Sequence, residues 1–443
     1  MEKSYKSYIK ELIHLAMPII MGHIGFTFIM AGDVFVAGKY STDALAAVSI
    51  SSAVTSLVFM FGIGLIVSVS PVLSNRLGAK KSIKKYFYPT IRFSQIVAFF
   101  SMILIMGCIP LIEHMGFEEK LFPYIRLYTF VFAFSAFGGY LHAALKEYLQ
   151  AYEIVLFPNF IAIVGIFLNL AINWIFVFGF GPIPSMGVLG LALASVFIRT
   201  AMGLALLVFC LVNFNLKNIR VPRKYFGVLI NVGLPLSVAV CLEFLAFNSM
   251  AILMGRVSGI YAAAQSILNV ITSTSFMIPL SISNAISVKV GYANGAKNIT
   301  DIKKYGVAGV GVSVGFMACC GILFALFPRF FAEIFTDDLD LINIIAPIMF
   351  LVAGFQCFDG LQCSLSGILK GLKKTQMVSV ANFVGYILIG ISLGSFLAFK
   401  MKLNLFGFWI GIGFSSACVG VVLLIALLKI YKNLKRTYVQ SNF

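Results

Sequence analysis

Twelve stretches of twenty or more apolar residues, separated by short polar segments, dominate this 443-residue chain. About twenty apolar residues cross a bilayer core of roughly 30 Å as a helix. The stretches therefore predict spans near 11–37, 43–74, 90–113, 120–149, 155–181, 186–213, 227–254, 258–288, 304–327, 339–369, 377–399 and 404–431. Composition agrees: 60% of residues are hydrophobic and 11% charged, where a soluble domain carries about 25% charged residues. Strand-length alternation is missing, which argues against a membrane β-barrel. The expected fold class is an all-α membrane protein, with its work done inside the bilayer. The first apolar stretch is too long for a signal-peptide core and shows no small-residue cleavage site, so it is expected to remain as a span.

A net charge of +17 invites a nucleic-acid reading, but its placement does not. With a cytoplasmic N-terminus, 25 of the 33 Lys and Arg fall in cytoplasmic segments or at the cytoplasmic ends of spans, Arg76, Lys80, Lys81, Arg220, Arg223 and Lys370 among them. Six lie opposite (Lys39, Lys120, Arg256, Arg329, Lys400 and Lys402), and Arg126 and Arg199 fall within spans. Such asymmetry follows the positive-inside rule and predicts a multi-pass inner-membrane protein with both termini cytoplasmic. The eight cysteines all sit within spans without metal-ligand or redox spacing, as small packing residues do.

A repeat at an offset of 217 residues organises the chain. Pro18 matches Pro235 (235 − 18 = 217). GKYSTDALAAVSISSAVTS at 38–56 aligns without a gap to GRVSGIYAAAQSILNVITS at 255–273, with eight of nineteen positions identical. Gly78-Ala79-Lys80 keeps the register with Gly295-Ala296-Lys297. Six spans per copy is an even number, so the copies share one orientation. The expected organisation is an N-lobe at 1–213, an inter-lobe loop at 214–226 and a C-lobe at 227–443. Parallel repeats of this kind suit a transporter with its cavity between the halves.

Three acidic residues lie well inside spans: Asp33, Glu243 and Asp359. A charge at the bilayer centre costs about 2.5–3.5 kcal/mol on insertion scales, so such groups tend to face a cavity and bind something. Interhelical hydrogen bonding without titration is the competing reading. Gln356, Asp359 and Gln362 recur at i, i+3, i+6, a polar stripe on one helical face. Asn169 and Asn173 share a face of span 5, as cation ligands or as interhelical glue. With Phe355, Gln265 and His23, the two glutamines make up the candidate substrate cavity. Arg199 either pairs with an acid or reaches polar atoms at a cavity wall. Neither GxxxxGK[ST], HExxH nor GxSxG occurs, so no enzyme activity or ATP hydrolysis is expected and no cofactor is implied.

At these residues the chain resembles the multidrug and toxic compound extrusion (MATE) family, in its NorM-like branch. The resemblance runs through Pro18, Asp33 and Gly38 with ALAAVS at 44–49, then Asn169 and Asn173 leading into IFVFG. It continues with Pro235 and Glu243, MIPLSISNAISVKVG at 277–291, and FQCFDGLQCSLSGILKG at 355–371. It implies a V-shaped two-lobe fold in which Na⁺ or H⁺ entry drives drug export. Carried over by motif, Glu243 and Asp359 form a C-lobe proton or Na⁺ site, and Asp33, Asn169, Asn173 and Ser195 an N-lobe site. Two positions depart from the pattern. Phe355 stands where tyrosine is common and His23 where glutamine is, which weakens the case for Na⁺ specifically. The expected partners are a small cationic substrate and membrane lipids, with no nucleic acid, and the chain is expected to act as a monomer. A flippase for lipid-linked saccharides, a metabolite exporter and a non-transporting receptor or scaffold are the alternatives.

Overall fold

The computed structural model describes residues 4–115, 117–214, 216, 224–255 and 257–440, with backbone alone for 25–31, 251, 255, 435 and 437–440. Arg220, Arg223 and Arg256, and most of the expected 214–226 loop, lie outside the described residues. The long helices run in chain order. They are α1 (Tyr5–Tyr40), α2 (Thr42–Gly78), α3 (Lys84–Glu113), α4 (Glu119–Ala151), α5 (Leu156–Phe178) and α6 (Val188–Asn213). Then come α7 (Lys224–Gly255), α8 (Gly259–Gly295), α9 (Ile299–Leu326), α10 (Leu339–Gly371), α11 (Thr375–Lys400) and α12 (Asn404–Gln440). Eleven of them are long and apolar enough to cross a membrane among the described residues. The expected first span is a single 36-residue helix. No strand forms among the described residues, so the fold is an all-α membrane protein.

Several helices outrun the predicted spans on the side of the basic loops. The apolar run marks only the stretch that crosses hydrocarbon, and the helix continues for a turn or more where polar side chains reach water. Some lysines assigned to loops by sequence consequently lie inside helices. Lys289 in α8 and Lys370 in α10 are each only 9% exposed.

The repeat is visible in the backbone. Ser41 and Ser258, 217 apart, both take an extended conformation (φ −164° and −165°) before α2 and α8. The Ser41 hydroxyl accepts from the Ala44 amide at 3.0 Å, an N-cap. Lys80 and Lys297, at the same offset, both take the left-handed conformation (φ 57° and 56°) that ends a helix.

The chain forms two compact units. One comprises the chain up to Met17, Gly78–Lys80 and everything from Val238 onward; the other comprises Pro18–Leu77 and Lys81–Ser237. They are not the two sequence halves. The first turns of α1 belong to the C-terminal unit and the first turns of α7 to the N-terminal unit, with the changeover at Pro18 and just past Pro235.

Close helix contact within each unit is made by glycine. A Cβ on Gly367 would meet the Ser283 carbonyl oxygen at 2.5 Å, and one on Gly371 the Ser287 carbonyl at 2.8 Å. The GILKG run is therefore a G-x-x-x-G seam between α10 and α8, the spacing that lets helix backbones approach in lipid. Outward faces are apolar: Phe167, Leu156, Val212 and Leu339 are between about seven- and eight-tenths exposed, as lipid-facing positions are.

Candidate functional site

Each unit holds a buried carboxylate cluster, and each cluster is built from helices that its own packing fixes.

In the N-terminal unit α1 presents Asp33, only 6% exposed. Asn173 of α5 donates to Asp33 Oδ1 at 2.6 Å, and Ser195 of α6 donates to Oδ2 at 3.2 Å. Asn173 also donates to Asn169 Oδ1 at 3.1 Å, one turn back on α5. The expected set of Asp33, Asn169, Asn173 and Ser195 thus converges, because one polar face of α5 and one serine of α6 meet the acid of α1. Arg199, one turn after Ser195, acts electrostatically on Asp33. Its guanidinium lies 4.5 Å from the Phe59 ring centroid and 4.9 Å from that of Phe132. Ring faces and a nearby carboxylate together make a buried guanidinium tolerable. Asn169 also acts on Asp33, and the Oδ1 of Asn173 is buried without a hydrogen-bond partner, leaving polar capacity at the edge of the cluster. His23, partly exposed on α1, is not among the partners of Asp33.

In the C-terminal unit Asp359 of α10 is 7% exposed and accepts from Gln362 Nε2 at 3.1 Å. The same amide lies 3.3 Å from the Tyr386 hydroxyl. Glu243 of α7 is partly exposed, and its charge interacts with those of Asp359 and Lys370. The polar stripe of α10 divides in two. Gln356 turns to α8, donating to Ser275 Oγ at 3.1 Å, while Gln362 serves the acid pair. Gln265 Oε1 accepts from Trp409 Nε1 at 2.9 Å, and Trp409 stacks on Phe355 with centroids 5.8 Å apart and planes at 19°. Phe355 and Gln265 are therefore linked through Trp409, which is fully buried.

Tyr386, Trp409, Ser275 and Lys370 have no place in the sequence-based site. Tyr386 lies in Phe383–Ile391, a π-helical stretch of α11. Such wide turns recur at functional positions because they push a side chain out of α-helical register. A tyrosine in an otherwise apolar FVGYILIGI run was the available signal. Lys370 is only 9% exposed, as a helical side chain turned back toward the N-terminus can be, and its charge acts on Cys363 and Glu243.

The MatE family profile matches residues 18–175 and 235–396, starting at the two repeat-related prolines and taking in every acid and amide above. The chain belongs to the MatE family. A probable multidrug resistance protein NorM of Mesorhizobium japonicum is 29% identical over 439 residues, covering 96% of this chain and 94% of that protein. The multidrug resistance protein NorM of Photobacterium profundum is 27% identical over 436 residues, covering 94% of both. Among solved structures, the eukaryotic MATE transporter AtDTX14 superposes with a TM-score of 0.87 at 20% identity, covering 99% of this chain and 100% of that one. The Vibrio cholerae MATE transporter VcmN in its bent form gives 0.87 at 18%, covering 99% of both. At these identities the structures speak to the fold. The relatives are transporters rather than enzymes, and this MatE chain is a multi-pass membrane transporter.

Proposed function

We propose that this transporter exports small cationic or amphipathic compounds by alternating access, in exchange for Na⁺ or H⁺, across the inner membrane with both termini cytoplasmic. The observation that carries the reading is the Glu243–Asp359 pair. The partly exposed Glu243 and the buried Asp359 interact and share one amide, Gln362, with Lys370 as the cation acting on Glu243. Such a pair is short of positive charge and favours taking up a proton or a cation. Asp33 differs, since Asn173, Ser195, Asn169 and Arg199 all act on it. Of the two sites it is the one whose carboxylate already has more hydrogen-bond donors. One charge moving down 100 mV supplies about 2.3 kcal/mol, enough for more than a tenfold concentration gradient. The names of the NorM relatives support drugs as the exported class.

The test is ethidium efflux from cells expressing wild type, Asp359→Asn or Glu243→Gln, with Na⁺ and H⁺ gradients imposed separately. Export by wild type alone, at equal membrane levels, sustains the reading, and the effective gradient names the coupling ion. Absence of dye movement by wild type under either gradient shifts the reading to lipid-linked saccharide or metabolite transport.

A further inference from the structure

At the end of the C-terminal unit away from the basic loops, between α9 and α10, the surface carries a groove of about 600 Å³. Small-ligand sites span roughly 300–1,000 Å³. One wall is a face of α10, where Asn343, Pro347 and Phe350 recur at i, i+4 and i+7. The other is the segment after α9, with Phe327, Arg329 and Phe330. Residues Pro328–Glu333 form a six-residue helix that opens on proline, where a missing amide costs nothing. Phe331 packs edge-on against Phe324 of α9, with centroids 4.8 Å apart, and Ala332 is fully buried. These two hold the short helix down. Phe327, Phe330 and Phe350 stay more than half exposed around the groove.

The lining is graded. Asn343 lies one turn inside α10, which begins at Leu339. Ala346, Pro347 and Phe350 follow it, with Phe350 about 10 Å further along the axis. Polar groups thus sit at the mouth and apolar ones at the depth of hydrocarbon, the order found along an amphiphile.

Charge at the mouth narrows the occupant. Arg329 is one of six basic residues that the sequence places opposite the basic loops, where the positive-inside rule disfavours them. It is exposed, and among the described residues no carboxylate pairs with it. The N-terminal unit treats its own cations on that side differently. Arg126 Nη2 donates to Glu113 at 2.9 Å, and Lys120 holds Asp43 at 3.1 Å and Glu118 at 3.0 Å. Arg329 keeps its planar fork for something outside the chain, and that fork matches a phosphate. Glu333 stands one turn after it on the same face of the short helix, and Asp340 stands three residues before Asn343. Asp337 and Asp338 lie between, Asp338 capping α10 through the Asp340 amide at 2.9 Å. A guanidinium with carboxylates on either side complements a zwitterion better than a net anion.

We propose that this groove seats a phospholipid with an ammonium headgroup, phosphatidylethanolamine in kind. Its phosphate lies on Arg329 and Asn343, its ammonium faces Glu333 and Asp340, and one acyl chain runs along Ala346, Pro347 and Phe350. The seat does not depend on what the transporter exports. Filling it braces the α9–α10 connection against the helix that carries Asp359.

Native mass spectrometry of the full-length protein in detergent, titrated with dioleoyl phosphatidylethanolamine or phosphatidylglycerol, tests this. Wild type is expected to retain one phosphatidylethanolamine at lower lipid concentration than phosphatidylglycerol. Arg329→Gln is expected to weaken retention of both lipids by about tenfold, the loss of a charged hydrogen-bond donor. Glu333→Gln is expected to erase the preference between them and leave binding in place. Pro347→Phe fills the groove from an exposed position while giving α10 back an amide donor, and is expected to abolish retention. Lys39→Gln, on the same side of the other unit, is expected to stay within about twofold of wild type. Equal retention by wild type, Arg329→Gln and Pro347→Phe overturns the proposal, and so does a preference for phosphatidylglycerol. A dimer lost only in Pro347→Phe overturns it in favour of a contact between copies of the chain. Retained ethidium that displaces the lipid and is lost in Pro347→Phe overturns it in favour of a drug-binding groove.

Discussion

The α8–α10 seam makes a prediction whose sign can be checked within one helix. At Gly367 an added methyl meets the Ser283 carbonyl oxygen at 2.5 Å, its hydroxyl at 2.7 Å and its Cα at 2.9 Å. Two of these three atoms are backbone, so α8 itself must move. Overpacking of this kind costs about 1–3 kcal/mol. Separation also strains the bond from the Ser283 hydroxyl to the Cys363 carbonyl, 2.8 Å long and worth about 0.6 kcal/mol in a membrane. Alanine returns about 0.8–1.0 kcal/mol of helix propensity. Gly354, on the same helix, has nothing within 4 Å of its would-be Cβ, so there alanine gains propensity and meets no obstacle. The common term cancels between the two variants, and Gly367→Ala should be less stable than Gly354→Ala by about 1–3.5 kcal/mol. Equilibrium unfolding in mixed detergent micelles gives the difference directly. Equal stability of the two variants, or a more stable Gly367→Ala, would falsify the close-approach account of the seam. Because Asp359 and Gln362 ride on the same helix, Gly367→Ala should also lower dye efflux while Gly354→Ala keeps it.

Other outcomes follow from the two clusters. Asn173→Leu removes the 2.6 Å donor to Asp33 and the bond to Asn169 and should reduce efflux more than Ser195→Ala, whose hydroxyl sits at 3.2 Å; initial rates at matched membrane levels rank them. Lys370→Met takes away the cation acting on Glu243 and should cut efflux about tenfold, with Lys370→Arg largely restoring it, since charge rather than shape is lost; efflux rates of the two variants settle it. Trp409→Phe loses the donor to Gln265 while keeping an aromatic ring on Phe355. It should lower stability by about 1 kcal/mol, read by the same unfolding titration.

The helices were legible because hydrocarbon allows little besides apolar residues along a span, and a lone Asp33, Glu243 or Asp359 stands out against that background. The Asn169–Asn173 spacing was readable for the same reason. Contacts made by residues that blend into their surroundings were not. Tyr386 and Trp409 look like two more aromatics in a chain with 44 phenylalanines, and only geometry ties them to Gln362 and Gln265. Glu11 reads as a polar residue near a terminus, and Lys289 and Lys370 as loop cations, because hydropathy marks where a helix crosses lipid and not where it ends. Exchange of the opening segments between units was equally hidden, since a repeat reports which residues correspond and not which of them touch.

That exchange bears on how the protein is made. Residues 5–17 leave the ribosome long before the groups that receive Glu11, which lie at Lys289 and Tyr305. Tyr305 is synthesised 297 residues after Tyr8 (305 − 8), which at about 5–20 residues per second is a delay of roughly 15–60 s. Through that interval the buried face of residues 5–17 has no native seat and must be sheltered by lipid or by the insertion machinery. The N-terminal unit, for its part, is incomplete until Tyr225 reaches Thr90. Two polypeptides divided between α6 and α7 would each carry a segment that belongs to the other, and should assemble only when produced together.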